Sequence, residues 1–363
     1  MANELLSNLA GGQRYLYSYR AVLGEYAVEI YSDQKKPISW CDEFLGPYFG
    51  NWAAPGRTIL TLYCNYRTPC TCNLPVPEEP VPLFFGRRGK RMQTANGNEL
   101  ILDGSDFYLK AQDRVAIWFN SNDPVRYQIP SRIAREALVA EFVAAGAVRI
   151  HGGVGFLPKR SLLVFGPSGC GKTAVIFHLL RSGAHFLCCN DRVVVRASGR
   201  GLLGYGLPIY SKIGEEIVGW FPALGPLIAD SQLLAERLVQ PSYRSGQFLK
   251  YALSPQHISE RLGLRISPLT RLQGVIVPDL RSARGISCEV VSVADGQRRE
   301  LLRESLLEPD PAFPTTFYKP LRKPERSNTA RELLELPWAR VRGNYRDKSL
   351  VSRLGEFFTG SSK

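Results

Sequence analysis

The chain has 363 residues, of which 44% are hydrophobic and 22% charged, an ordinary composition for a globular protein with room for two domains. Its 46 Lys and Arg outnumber its 33 Asp and Glu, and the formal net charge of +13 favours anionic partners such as nucleotides, acidic peptides or nucleic acid. No apolar run approaches the roughly 18 residues that cross a membrane, and the first residues lack the pattern of a secretory signal. We therefore expect no membrane partner and a cytoplasmic location.

The first 125 residues predict a small α+β or mainly β module. A short helix is predicted at 39–49. Alternating polarity and turn residues predict strands at 20–31, 58–65, 99–103, 106–110 and 114–119. Nothing in this stretch suggests chemistry, so substrate recognition, dimerisation and plain scaffolding all remain open. Cys64, Cys70 and Cys72 cluster without a fourth ligand nearby, which leaves both a zinc site and free thiols open.

A helix is predicted to begin at Ser131 and end at Gly146, followed by strands at 148–153 and 161–165. The clearest motif, GPSGCGKT at 166–173, comes next and precedes an apolar helical run ending near Arg181. This strand, turn and helix order fits a phosphate-binding loop, in which glycines let backbone N–H groups surround a polyphosphate at a helix N-terminus.

The residues predicted to bind the nucleotide are Gly166, Ser168, Gly169, Cys170, Gly171, Lys172 and Thr173. Lys172 is expected near the β- and γ-phosphates, and the Thr173 hydroxyl is expected on Mg²⁺. A glycine turn without a ligand is the structural alternative.

Asp191 follows the apolar run 186–189 and stands 19 positions after Lys172. We expect that run to pair near the loop strand and to deliver Asp191 to the phosphate end of the sheet. A carboxylate there can hold Mg²⁺ or accept a proton from an attacking hydroxyl, while a turn aspartate is the simpler alternative. His151 precedes the loop by 15 residues and could contact the γ-phosphate, or be a core histidine.

Further strands and helices are predicted beyond Asp191. Strands are expected at 193–196, 202–205, 274–278 and 288–293. Helices are expected at 228–239, 256–262, 297–307 and 328–336. The basic tail after about residue 345 is expected to be mobile.

The segments VRIHGGVG at 148–155, GPSGCGKT at 166–173 and RSGAHFLCCNDRV at 181–193 together resemble the HPr kinase/phosphorylase group and its related small-substrate and peptide kinases. In that family a histidine, a GxSGxGK[ST] loop and a glycine-ended helix leading to an aspartate pair occur in this order. The nucleotide core of the group is similar to phosphoenolpyruvate carboxykinase. The match covers 130–220 well and 221–310 loosely, and the first 125 residues look unlike the N-terminal domain of true HPr kinases.

The resemblance implies that His151, Lys172 and Asp191 act in catalysis and that Thr173, Asp191 and Glu216 hold the metal. Asp191 matches the second aspartate of the family pair, whereas Asn190 replaces the first, and an amide cannot act as a base. Glu216 belongs to EIVG, the nearest counterpart of a Glu-Ile-Arg-Gly magnesium motif, but the arginine is missing. These departures speak against a phosphorylase half-reaction and against HPr itself as the substrate.

The sequence and the resemblance together predict an α/β protein. A P-loop kinase core of HPr kinase / PEP carboxykinase type is expected at 126–310, between an N-terminal α+β module at 1–125 and a C-terminal helical and basic extension at 311–363. The predicted function is an ATP- and Mg²⁺-dependent kinase acting on a hydroxyl of a peptide or protein serine, or of a small-molecule alcohol. A nucleotide-dependent switch protein, GTP as donor and a homo-oligomer stay open. So does nucleic-acid binding by the basic tail, although no aromatic RNA-binding motif accompanies it.

Overall fold

The computed structural model of the chain describes residues 15–50, 56–67, 79–84, 87–94, 96–121, 124–184, 186–189, 191–226, 250–280, 287–307, 316–320, 327–344 and 346–360. It is a mixed α/β protein with two large mixed sheets. Contacts divide the chain into two units, Met1–Ala145 with Pro309–Pro324, and Gly146–Glu308 with Glu325–Lys363. Within the described ranges, no helix has the length and apolar character that a membrane crossing requires.

The first unit is built on one eight-stranded sheet, in the order β1-β2-β3-β8-β7-β6-β5-β4. Its strands are β1 (Tyr17–Leu23), β2 (Tyr26–Ser32), β3 (Arg57–Asn65), β4 (Glu79–Pro82), β5 (Arg88–Gln93), β6 (Glu99–Asp103), β7 (Asp106–Ala111) and β8 (Arg114–Trp118). A 3₁₀ turn at Pro124–Gln128 and two helices, α1 (Lys35–Phe49) and α2 (Ile129–Ala144), complete it. The strands predicted at 58–65, 99–103, 106–110 and 114–119 are confirmed. The single strand predicted at 20–31 is wrong, because the turn at 24–25 divides this stretch between β1 and β2. The helix α1 begins four residues before the predicted start at Ser39.

Contacts place the division of the chain after Ala145 and not at residue 125, because α2 packs on β1, β2 and β3. Ile133, Ala137 and Phe142 are buried on this helix. The chain returns to the first unit at 316–320, where the Phe317 ring stacks on Phe84 with 5.6 Å between centroids. The C-terminal stretch 311–363 is therefore shared between the two units.

The second unit contains a seven-stranded sheet, in the order β10-β9-β12-β13-β17-β19-β18. The strands of this unit are β9 (Val148–Leu157), β10 (Arg160–Phe165), β11 (Phe186–Leu187), β12 (Arg192–Ser198), β13 (Gly201–Gly206), β14 (Ser211–Gly214), β15 (Lys250–Leu253), β16 (Arg265–Ile266), β17 (Leu269–Leu280), β18 (Glu289–Ser292) and β19 (Trp338–Gly343). Its helices are α3 (Lys172–Arg181), α4 (Glu215–Trp220), α5 (Pro255–Leu262), α6 (Asp295–Ser305), α7 (Thr329–Glu335) and α8 (Leu350–Gly360), with a 3₁₀ turn at Pro222–Leu224.

β10, the strand that leads into the glycine loop, is central to this sheet. It pairs antiparallel with β9 along one edge and parallel with β17 along the other. Because β17 also pairs with β13, the pairing from β10 through β9, β12 and β13 to β17 closes on itself. The last residue of β10, Phe165, meets the fully buried Trp338 ring edge-on at 5.2 Å, and the Trp338 indole N–H donates to the Leu333 carbonyl at 2.9 Å. The strand end is thus held in the core immediately before the loop.

Two predictions are wrong. The tail after residue 345 forms α8, because Leu350, Leu354 and Phe358 lie four residues apart and bury one helical face. The run 186–189 does not pair with the loop strand: β11 pairs parallel with β16 in a separate two-stranded sheet. The helix predicted at 228–239 lies outside the described residues.

Asp347 connects the start of α8 to the sheet. Its Oδ2 accepts a hydrogen bond from the Cys288 amide at 2.6 Å, and its Oδ1 accepts one from the Ser349 amide at 2.8 Å. These two backbone hydrogen bonds lower the pKa of Asp347 below its ordinary value, and the bond from Cys288 has the larger effect. The carboxylate therefore fixes the turn from which the helix begins.

We expect Asp347→Asn to lower the free energy of unfolding at pH 7 by about 1–2 kcal/mol, because an amide oxygen cannot replace both acceptors. A carboxyl whose pKa is lower in the folded state stabilises above its unfolded pKa of about 3.9 and loses that contribution as pH falls through the folded value. The difference between wild type and variant should therefore shrink below pH 4. Urea denaturation at pH 7 and pH 3 measures it, with Asp295→Asn as control, since the Asp295 side chain is 90% exposed. An unchanged midpoint at pH 7 would refute the assignment.

Candidate functional site

The glycine loop, residues 166–171, connects β10 to α3. Three of its glycines have positive φ: Gly166 at 150°, Gly169 at 80° and Gly171 at 101°. Pro167, Ser168 and Gly169 are exposed, so the centre of the loop faces solvent. The structure thus gives the strand, loop and helix order that the motif predicts, with Gly166, Ser168, Gly169, Cys170 and Gly171 in one turn.

Gly171 cannot be replaced without strain, for two independent reasons. Its φ lies in the left-handed region, which side chains with a Cβ rarely adopt. A Cβ at this position would also lie 2.9 Å from the Leu280 Cβ on β17. The Leu280 amide donates to the Cys170 carbonyl at 2.9 Å. The loop therefore lies directly on the end of β17.

Lys172 is the first residue of α3, and its side chain turns back over the loop. Its ammonium donates to the carbonyl oxygens of Gly166 at 2.9 Å and Pro167 at 3.0 Å. Lys172 is only 9% exposed, so its charge is concentrated inside the loop. Thr173 follows and is half-buried. The positive end of the helix dipole and the lysine charge act on the same region.

Cys170 is half-buried inside the loop. Burial raises the pKa of its thiol above the ordinary value, although the Lys172 charge acts in the opposite direction. The thiol is therefore neutral at physiological pH and adds no negative charge beside the Lys172 ammonium.

His151 and Asp191 are brought together by strand pairing. β9 pairs with β10 so that Gly152 lies opposite Phe165, which places His151 beside the start of the loop. β12 pairs with the other edge of β9, with Arg192 opposite His151. Asp191 immediately precedes β12, and its Oδ1 lies 3.5 Å from the His151 Nε2. Two residues 40 positions apart thus meet beside the loop.

The electrostatic environment of Asp191 favours its ionised form. Burial acts to raise its pKa, but His151, the Arg192 guanidinium and the Lys212 ammonium together lower the pKa below the ordinary value. The Arg192 Nε lies 3.5 Å from the Asp191 Oδ2. Asp191 is therefore a carboxylate at neutral pH, half-buried among basic side chains.

Glu216 lies on α4 and forms an ion pair with Arg346, which stands between β19 and α8. The EIVG segment lacks the arginine of the Glu-Ile-Arg-Gly motif. Arg346, from a distant part of the chain, places a guanidinium beside Glu216 instead. Among the described residues, no group of three or more His, Cys, Asp or Glu side chains is close enough to hold a metal ion by itself. The assignment of Thr173, Asp191 and Glu216 as metal ligands remains a prediction.

Sequence reasoning missed several neighbours of the site. Lys212 gives no sequence signal, because only the fold brings β14 near Asp191. Asp279 does give one, since it ends the apolar run 274–278 of a strand parallel to β10. Asn190, Cys70 and Cys72 lie outside the described residues, and Cys64 is buried, with its thiol pKa raised by burial.

In comparisons with known proteins, the chain matches no family model and no curated protein.

Proposed function

We propose that the second unit is a nucleotide-binding core of HPr kinase / PEP carboxykinase type and that the chain is an ATP-dependent kinase. It transfers the γ-phosphoryl group to a hydroxyl of a peptide or protein serine, or of a small-molecule alcohol. The observation that carries this proposal is the pair of Asp191 and His151, 3.5 Å apart, beside a loop of positive-φ glycines that joins a buried strand to the N-terminus of a helix.

The loop residues fit a nucleotide polyphosphate. A Cβ would collide with Leu280 at Gly171 and crowd the Cys170 sulfur at Gly166, so these glycines let the loop close tightly. The centre of the loop is exposed, and Lys172 provides a cation that neutralises phosphate charge. The same residues fit Mg²⁺ bound with the nucleotide, because this ion takes one or two protein oxygens and completes its shell with phosphates and water. Such a site needs no preformed cluster of acidic side chains. When bound, Mg²⁺ neutralises charge on the β- and γ-phosphates.

Asp191 and His151 serve the acceptor. The acceptor oxygen bonds to the γ-phosphorus while the bond from that phosphorus to the β–γ bridging oxygen breaks, so ADP leaves. The hydroxyl proton passes to the Asp191 carboxylate. His151 holds the carboxylate in position through its Nε2. Catalysis is then largely positioning and charge neutralisation, as expected for phosphoryl transfer.

The test is a transfer screen with γ-labelled ATP and Mg²⁺ against pooled peptides and small alcohols. We expect label to reach at least one acceptor with the wild-type protein and not with Lys172→Ala. Label that appears only as inorganic phosphate, regardless of the acceptor pool, would contradict acceptor phosphorylation.

A nucleotide-dependent switch is the second candidate, and one observation favours it. Lys172 is bonded to two carbonyls of its own loop, so a phosphate that attracts this ammonium would withdraw it from the loop and change the loop's conformation. Tight ATP binding without transfer to any acceptor would favour this function over the kinase.

A further inference from the structure

The strand β18 forms the open end of the seven-stranded sheet. At the other end of the strand order, β10 is closed by its pairing with β17, whereas no described residue pairs with the outer edge of β18. On its inner edge β18 pairs antiparallel with β19, and the Val293 amide donates to the Trp338 carbonyl at 3.1 Å. Because backbone groups alternate in direction along a strand, the N–H and C=O groups of Val290 and Ser292 point away from β19. They form a row of donors and acceptors with which another strand can pair.

The outer edge of β18 lies beside a groove against α8. Arg353, Phe357 and Gly360 follow one another at spacings of four and three residues, so they lie on one stripe of this helix. The groove has a volume of about 400 Å³ and is lined by Glu289, Val290, Arg353, Glu356, Phe357 and Gly360. Val290 and Phe357 both pack against the apolar cluster beneath α8, so the floor of the groove is apolar.

The rim of the groove is acidic. Glu289 and Glu356 are exposed, and neither forms an ion pair with a described residue, although Arg342 stands opposite Glu289 in the ladder. The basic residue of the groove, Arg353, is held at the start of α8, where its Nε donates to the Ser349 hydroxyl at 3.0 Å. The rim is therefore negative on a chain whose formal net charge is +13.

We propose that this edge and groove bind an extended peptide segment of a partner protein, which adds as a strand to β18 and places basic side chains at the acidic rim. The proposal does not depend on the kinase function. The backbone groups of β18 select an extended chain, the apolar floor accepts one of its side chains, and the rim favours Lys or Arg. The two glutamates would repel a nucleic acid or an anionic membrane surface. A second copy that paired through the same edge about a two-fold axis would bring two acidic rims together.

The test measures by fluorescence anisotropy how tightly a dye-labelled heptapeptide of alternating Val and Lys binds the full-length protein at physiological salt. Two altered peptides separate the sources of affinity. In one, N-methyl groups on two consecutive central residues remove a hydrogen-bond donor from each edge of the peptide strand. In the other, Glu replaces every Lys. We expect each alteration to weaken binding by about tenfold or more.

Variants of the protein locate the bound peptide. Ser292→Pro removes an outward amide that β19 does not use, and proline is tolerated on the outer edge of a sheet. This variant should bind the Val-Lys peptide about tenfold more weakly, whereas its matched control Ser292→Ala should bind it as the wild type does. Glu356→Lys should weaken binding by a similar factor. Its control is Glu300→Lys, because Glu300 is exposed on α6, which packs on the opposite face of the sheet from α8.

Equal binding of the parent peptide and either altered peptide would overturn the proposal, as would the absence of binding at millimolar concentration. A wild-type protein that sediments as a dimer, with a Ser292→Pro variant that sediments as a monomer, would assign the edge to a second copy and overturn it as well. If Ser292→Pro melts below the wild type, the N-methylated peptide still decides, because it is tested on the unaltered protein.

Discussion

Lys172→Ala is expected to abolish phosphoryl transfer, lowering its rate by at least about 10²–10³-fold. The ammonium is nearly buried and held at two loop carbonyls, so it lies inside the cradle where charge develops on the phosphates. In such a partly desolvated place a unit charge is worth far more than at the surface. Steady-state transfer to the acceptor found in the screen measures the loss.

The matched control is Lys159→Ala. Lys159 is exposed at the turn between β9 and β10, at the end of this hairpin away from the glycine loop. The substitution therefore removes one lysine charge far from the loop. We expect it to keep wild-type transfer. Near-normal transfer by Lys172→Ala, in a protein that melts like the wild type, would mean that the loop does not bind the transferred group.

Asp191→Asn is expected to keep ATP binding while its transfer rate falls by about 10²–10⁴-fold. The amide has the shape of the carboxylate but cannot accept the hydroxyl proton. Nucleotide affinity and transfer rate are therefore measured on the same preparation, with Asp295→Asn as control. A parallel loss of both would point to a structural role for Asp191 and not to the acceptor step.

The pH profile provides a separate check on this role. Since the pKa of Asp191 lies below its ordinary value of about 3.9, the carboxylate persists through the neutral and mildly acidic range. Transfer should not decline through protonation of Asp191 between pH 7 and pH 5. A decline in that interval that disappears in Asp191→Asn would contradict this assignment.

The local parts of the site could be predicted from the sequence because their determinants are close together. The spacing from Gly166 to Thr173 fixes a turn between an apolar strand and a helix, and the structure contains that turn. The period of Leu350, Leu354 and Phe358 also predicts a helix, but the basic residues around it led to the wrong expectation of a mobile tail. There, apolar burial outweighs surface charge.

The long-range parts could not be predicted because they depend on which strands pair. Asp191 was expected beside the loop on the assumption that 186–189 pairs with β10, yet β11 pairs with β16. Asp191 lies beside His151 because β12 joins the free edge of β9. No local pattern indicates that choice, nor the approach of Lys212 or the pairing of Arg346 with Glu216.

The hydrogen bond from the Leu280 amide to the Cys170 carbonyl makes the glycine loop and the end of β17 a single mechanical element. The loop cannot open without breaking this bond and lifting Gly171 off the Leu280 side chain. We therefore expect the Leu280 N–H to exchange with solvent deuterium only when the loop opens. The exchange rate of this one backbone amide would thus measure how often the glycine loop opens.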